Sequence, residues 1–444
     1  MLLRFRVSNH ASLRAEQELT FIAGDAAEGA GAAEHVLQPV PGTELAVLPV
    51  VAVFGRNASG KSNLVGALAF MQSVILNSHQ GWRPGQSIPR RPFALNPADR
   101  DRPSVFAVEL LLDGVRHEYG FAVGDRQVEE EWLYDFPKGK QRMLFERDEQ
   151  GMRFGAAFRG RRKLVEDVVR PNSLFLSAGA ANNNALLTRL YEWFQRTLRI
   201  AVDTNYSGRL GETLTLWQEA DRQRLRDLLA FADLGIEDLE LVDQPLDAQM
   251  HERLVQAMRI IDPDRFDEST ADSLRHTQSV RLRHTGAAGA VPLDLDEESN
   301  GTQTWIGLLG PVTSTLDEGS VLVVDELDAR LHPLLAARLV SLFQDRRRNP
   351  RGAQLLFNSH DATLLAPGSE ARLRRDQVWF TEKGTDGGTF LKPLLDYRPR
   401  RDGTVNLERG YLAGRYGGLP FFDDDLLDGI GRDHGGESGE VAVG

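Results

Sequence analysis

The sequence predicts an α/β fold whose sheet carries its ligand-binding loops at one edge, with an antiparallel β-subdomain and a helical insertion. Three observations carry this expectation. First, the apolar run Val50 to Phe54 ends in a glycine loop, Gly55-Arg56-Asn57-Ala58-Ser59-Gly60-Lys61-Ser62-Asn63. A helical pattern (Leu64, Val65, Leu68, Met71) follows at once. Second, the apolar run Val321 to Val324 ends in Asp325-Glu326, and Leu355 to Phe357 ends in Asn358-Ser359-His360-Asp361. Third, Ser104 to Leu112, His117 to Val123 and Gln127 to Tyr134 read as strands, the first two joined by the hairpin pair Asp113-Gly114.

Composition narrows the class. With 444 residues, the chain can bury one large core or two to three smaller ones. There is no cysteine, which excludes disulfides, thiolate nucleophiles and cysteine-bound zinc. Met1 to Val7 is too short and too charged for a signal peptide. The longest apolar stretch, Leu45 to Phe54, is half a membrane span and contains Pro49. The expectation is a cytoplasmic chain with no membrane partner. Net charge is −12, and half of it comes from residues 423–444, which hold seven acids and one arginine. That balance argues against a basic nucleic-acid coat. Nucleic acid remains a candidate partner at four basic clusters: Arg159 to Lys163, Arg346 to Arg348, Arg372 to Arg375 and Arg398 to Arg401.

In order along the chain, residues 1–22 alternate (Leu3, Phe5, Val7, then Leu19, Phe21) and read as a hairpin around Asn9 to Glu16. Residues 24–43 read as a loop, and Asn77 to Arg102 as a polar segment rich in proline and glycine. From 185 to 275 the apolar spacing is helical: Leu186, Leu187, Leu190, Tyr191, Phe194, Leu198; Leu225, Leu228, Leu229; Leu254, Val255, Met258, Ile261. No heptad is sustained, so a long coiled coil is not expected. Val280 to His284 and Val291 to Leu295 read as strands. The expected division is an N-terminal lobe over 1–184, a helical insertion over 185–275, a C-terminal lobe over 276–422 and an acidic, disordered tail over 423–444.

The glycine loop has the spacing G-x-x-x-x-G-K-S of a phosphate loop. Gly55 and Gly60 let the backbone turn tightly, and the amides of residues 57 to 62 would form an anion nest at a helix start. Lys61 would reach the β and γ phosphates of ATP, and the Ser62 hydroxyl would bind Mg²⁺. Asp325, at a strand's carboxyl end, would hold Mg²⁺ through water, and Glu326 would act as general base. His360 ends the next strand and would face the γ-phosphate. Leu295 to Gln303 places acids and Ser299 before an apolar helix, which by local chemistry is an N-cap.

In this order, GRNASGKS, Ser299-Asn300-Gly301-Thr302 before a helix, VLVVDELDARLHP and FNSHD resemble the ABC-type ATPase fold shared by SMC and RecF proteins and by transporter ATPases. The fold class so implied is a P-loop NTPase of ABC-ATPase type with an antiparallel β-subdomain and a helical insertion. The segments LLRFRVSNHASLRAE, LDLDEESNGTQTW and YLAGRYGGLPFF are more closely similar to bacterial AAA-like ATP-binding proteins of abortive-infection and restriction loci. The resemblance spans most of residues 1–422. It implies that Ser299, Asn300, Gly301 and Thr302 form a signature loop contacting the γ-phosphate bound by a second copy. It also implies that Asp328 and its neighbours cross the interface between the two copies. Where transporter and SMC proteins carry a second aspartate in that loop, this chain has His332. Pro92 to Asn96 contains no glutamine for a Q-loop. The implied function is ATP hydrolysis by an ATP-dependent homodimer or higher oligomer. It would act as the sensor of an anti-phage defence system with a separate effector such as a nuclease. The alternative is a RecF-like ATPase that senses DNA structure.

Overall fold

Strand β5 (Val50–Phe54) sits inside a six-stranded sheet of the computed structural model. The structure describes residues 1–24, 37–41, 43–202, 206–218, 222–261, 276–287, 289–397 and 406–417. The tail from Asp423, the Arg398 to Arg401 cluster and most of the loop read over 24–43 lie outside the described residues. Parallel to β5 on either side run β16 (Gln354–Ser359) and β17 (Val378–Lys383). Next to β16 come β15 (Val321–Val324) and then β11 (Leu198–Ala201), also parallel. Antiparallel β18 (Thr389–Pro393) closes the other edge. All residues of β5 and β15 are buried. A parallel strand covered on both faces has no wet side, which is why these segments read as unbroken apolar runs.

The two faces of this sheet belong to different cores. Val51 and Val53 join α1 (Lys61–Asn77) through Leu64, Leu68 and Met71. Val50, Ala52 and Phe54 join α8 (Asn300–Glu318) and α9 (Pro333–Gln344). On the α1 side stands a seven-stranded antiparallel sheet. Its β1 (Leu2–Ser8) pairs with β2 (Gln17–Thr20), as the hairpin pattern predicts, and on its other edge with β6 (Ser104–Leu112). From β6 the sheet continues through β7 (Val115–Val123), β8 (Val128–Asp135), β9 (Arg142–Asp148) and β10 (Gly151–Phe154). Asp113 and Gly114 between β6 and β7 both have positive φ, 50° and 75°, as a two-residue hairpin of matching twist requires. A short pair, β3 (Gln38–Pro39) with β4 (Ala46–Val47), lies beside β2.

The segment with helical spacing holds helices and two strands. After α2 (Arg162–Val168) and α3 (Phe175–Ala181) come α4 (Ala185–Glu192), α5 (Tyr206–Gln218), α6 (Arg222–Phe231) and α7 (Ala248–Ile261). Leu198, the last residue of the first helical stripe, begins β11. Its four residues are too few to show alternation, and pairing with β15 decides their state. Likewise β12 (Ile236–Pro245) is acidic and poor in strand formers, yet it pairs along its length with β13 (His276–Gly286). With β14 (Gly289–Asp294) these form a separate three-stranded sheet.

Helix α5 packs on α8 where α8 has no bulky side chains. The Thr213 hydroxyl donates to the Ile306 carbonyl (2.9 Å) and accepts from the Gly310 amide (2.8 Å). These two groups belong to the same rung of the helix ladder, so the hydroxyl inserts beside that rung. The next residue, Pro311, has no N–H to offer, so α8, continuous from Asn300 to Glu318, lacks a backbone donor at this point. The late tyrosines also pack: Tyr411, on α10 (Leu407–Leu412), and Tyr416 both stack on the Phe380 ring, at 5.5 and 5.1 Å, within one core. No helix among the described residues is long and apolar enough to cross a membrane.

Candidate nucleotide site

The glycine loop leaves the carboxyl end of β5 and α1 starts at Lys61. Ala58 and Gly60 are left-handed, with φ of 62° and 106°. The loop rests on hydroxyls of the β17–β18 hairpin. Ser59 Oγ lies 2.6 Å from Thr381 Oγ1, and Thr389 Oγ1 donates to the Ser59 carbonyl (2.7 Å). A Cβ on Gly55 would run into Thr381, and one on Gly60 into Thr389, so both glycines are required by close approach as well as by turning. Ser12 extends the support, meeting Thr389 Oγ1 (2.7 Å) and accepting from Asn63 Nδ2 (2.6 Å).

The Ser59 amide turns back to the Arg56 carbonyl (3.2 Å) and the Asn63 amide to the Gly60 carbonyl (3.1 Å). Among the described residues the amides of Asn57, Ala58, Gly60, Lys61 and Ser62 have no acceptor. Lys61 is 7% exposed, and its ammonium donates to the carbonyls of Gly55 (2.6 Å) and Arg56 (3.1 Å). Burial pushes its pKa down, against the opposing pull of Asp328, Glu326 and Asp325. Among the described residues this buried cation has no ion-pair partner and stands beside free amides at a helix start: the residues fit a polyphosphate. Ser62 is exposed beside it.

Strand β16 stands between β5 and β15, so Asp325 and Glu326 emerge two strand spacings, about 10 Å, from the β5 axis. That gap leaves room for an ion and a water. Asn358, 1% exposed, braces the acids from β16. Its amide nitrogen donates to Asp325, its side-chain oxygen accepts from the Glu326 amide, and its carbonyl accepts from the Leu327 amide (3.1 Å). Glu326 has φ of 54°, a strained conformation costing about 1–3 kcal/mol, and the Asn358 contact holds it there. Its own carboxylate is exposed. Sequence reasoning gave Asn358 no role; the available signal was an amide inside an apolar strand.

Asp328 links the loops. Its side chain is buried, and Oδ2 meets His360 Nδ1 (3.1 Å) and the His360 amide (3.3 Å). The other oxygen has no partner among the described residues. Asp328 thus points into its own chain, while Ala329 and Arg330 are exposed. His332 caps α9, its ring nitrogen accepting from the Leu334 amide (3.3 Å). Ser299 caps α8: Oγ accepts from the Thr302 amide (3.1 Å) and lies 2.9 Å from Thr302 Oγ1. Gly301 presses on the turn after Glu326, since a Cβ there would stand 2.6 Å from the Arg330 carbonyl. Ser299 and Asn300 face solvent, and no hydrogen bond among the described residues joins them to the glycine loop. Glu298, just before Ser299, is held by His284 of β13 at 2.6 Å. No cluster of three or more His, Asp or Glu side chains able to hold a metal occurs among the described residues. An ion here would draw its remaining ligands from phosphate and water, as Mg²⁺ does beside nucleotides.

The structure thus brings Lys61, Asp325, Glu326 and His360 to one sheet edge and ties the Ser299 loop to it through Arg330. Ser12, Thr381 and Thr389 were missed, because single hydroxyls in distant strands leave no pattern in a sequence.

A search of curated proteins finds no match. Among solved structures, the chain is similar to the SMC head domain from Thermotoga maritima, with 14% identity, 88% of this chain and 98% of that chain covered, and a TM-score of 0.37. It is also similar to an SMC head with an extended coiled coil, bound to the C-terminal domain of ScpA, from Pyrococcus furiosus. There the identity is 11%, the coverage 89% and 97%, and the TM-score 0.35. A family model described as "AAA domain, putative AbiEii toxin, Type IV TA system" matches residues 50–366, from the first residue of β5 to just past His360. The chain belongs to this AAA domain family and is a P-loop ATPase.

Proposed function

We propose that this ATPase binds MgATP and works as a nucleotide-driven switch between two copies, as the sensor of an anti-phage system with a separate effector. The observation that carries the reading is the arrangement around Asp328. One buried acid holds His360, lies in the electrostatic field of Lys61, and sits two residues before Arg330, on which Gly301 rests. In this reading Lys61 and the free amides hold the phosphates, and Ser62 and Asp325 hold Mg²⁺. Bound Mg²⁺ neutralises charge on the phosphate oxygens. Glu326, fixed by Asn358, takes the proton of the attacking water. His360 exchanges Asp328 for the γ-phosphate, which frees the turn under the Ser299 loop. Ser299 and Asn300, exposed and not hydrogen-bonded to their own glycine loop among the described residues, serve the second copy.

Glu326→Gln tests the reading. It is expected to bind ATP but hydrolyse it about a hundredfold more slowly, in line with a lost general base. With ATP it should scatter light as a dimer, and with ADP as a lighter species. Wild-type turnover, or equal mass with both nucleotides, rejects the proposal.

A further inference from the structure

The antiparallel lobe carries a cleft of about 950 Å³, walled by the β6–β7 tip, the β8–β9 end, residues 157–161 and the α3–α4 turn. It lies far from the nucleotide loops. Strand β6 starts at Ser104, whose hydroxyl donates to Asn9 near the Ser12 support, and runs nine residues to Leu112 at the cleft, a span of about 30 Å. The floor is apolar, with Leu144 and Val165 each 2% exposed.

Four arginines converge on the walls. Arg142 makes a two-pronged pair with Asp135 (2.8 and 2.5 Å), and Arg189 pairs with Asp113. These cancel. Arg159 and Arg161 remain, exposed, with no carboxylate within ion-pair distance among the described residues. His117 adds no charge, since burial lowers its pKa. The cleft therefore carries a surplus of two positive charges in a chain of net charge −12.

The two arginines sit on an anchored backbone. Asn184, 6% exposed, donates to the Arg159 carbonyl (3.0 Å). Gly160 has φ of 111°, with Asn184 Nδ2 only 2.5 Å from where a Cβ would stand. On the other side Arg162 donates to the Phe158 carbonyl (2.7 Å) and lies over the Phe154 ring at 5.5 Å. Two forked cations one residue apart on a fixed loop repel each other unless an anion lies between them, and a phosphate matches two guanidinium forks.

We infer that this cleft binds a phosphomonoester of nucleotide size, with the phosphate between Arg159 and Arg161 and the apolar part on the Leu144–Val165 floor. Its volume falls within the usual range for small-ligand sites. The same group occurs on a free nucleotide and on the 5′ end of a nucleic acid, and the test separates the two.

Binding of AMP, of a 5′-phosphorylated hexathymidylate and of its unphosphorylated twin is measured on the full chain by calorimetry. The comparison proteins are Arg159→Glu/Arg161→Glu and Arg159→Gln/Arg161→Gln. Phosphorylated probes should lose about tenfold or more in affinity in both variants, with a shallower salt dependence. ATP turnover should stay unchanged, which verifies the fold. AMP binding identifies a free nucleotide, and binding of the phosphorylated oligomer alone identifies a nucleic-acid end. If wild type binds neither phosphorylated probe, or if the charge-reversed protein binds them as well as wild type, the inference is overturned.

Discussion

Lys61 is a cation held in a dry loop by two carbonyls and the distant field of three acids. Truncating it removes a buried charge whose partner has to come from a ligand. Lys61→Ala should therefore abolish ATP binding by calorimetry while leaving the melting temperature near wild type. Unchanged affinity rejects the assignment. His10 is a buried group of another kind. Its ring packs 5.3 Å from both Phe70 and Phe106, and Nδ1 has no partner among the described residues. Burial, aided by Arg91, lowers its pKa to about 4. The unfolded chain binds the proton more readily, so the His10 contribution is fully present above pH 6.5. It is lost as pH falls toward 4, by about 3 kcal/mol. Thermal melts at pH 7.5 and 4.5 should show a smaller drop for His10→Leu than for wild type; equal drops reject the assignment. At this scale the sequence was legible where chemistry is local. Lys61, Ser62, Asp325 and Glu326 follow one another in short motifs. Asn358, Thr381 and Thr389 act through space, and nothing beside them in the chain marks them.

Among the elements, the strands that read most clearly are those buried on both faces, β5 and β15, because burial imposes an apolar run. The β6–β7 hairpin was equally legible, since Asp113-Gly114 meets a backbone demand few pairs can satisfy. Strands β11 and β12 were hidden: one is four residues long, and the other carries four acids in ten residues and is held by its partner. The α5–α8 contact was also out of reach, because a threonine on one helix completes the hydrogen bonding of another. Thr213 is fully buried. Thr213→Val should remove both bonds of this buried bridge and cost about 1–3 kcal/mol, read as a fall in melting temperature. Thr213→Ser, which keeps the hydroxyl, should retain most of that stability. Equal losses in the two variants would mean that the methyl group, and not the bridge, carries the effect.

Across the molecule, the parallel sheet draws strands from both ends of the chain and from its middle. Val50 to Phe54, Leu198 to Ala201 and Gln354 to Ser359 form one hydrogen-bonded surface, so the phosphate loop, the acid pair and His360 respond to one scaffold. Assembly is tested at this scale. Ser299 is exposed, so Ser299→Arg should fold and bind ATP as wild type does. If Ser299 serves a second copy, the bulky cation should block ATP-dependent dimerisation of a Glu326→Gln background, measured by light scattering. Undiminished dimerisation would leave Ser299 as a helix cap alone.

Pro311, which removes a backbone donor, and the Thr213 hydroxyl at Gly310 give a continuous α8 a soft joint and so the mechanics of a lever. Ten residues, about 15 Å of helix, separate that joint from the Ser299 end. A rotation of about 10° at the joint would sweep the tip through roughly 3 Å, the length of a hydrogen bond. The fulcrum is a single hydroxyl supplied by α5. A modest push on α5 would thus be geared up at the exposed end of α8, and a force applied at that end would be felt in α5.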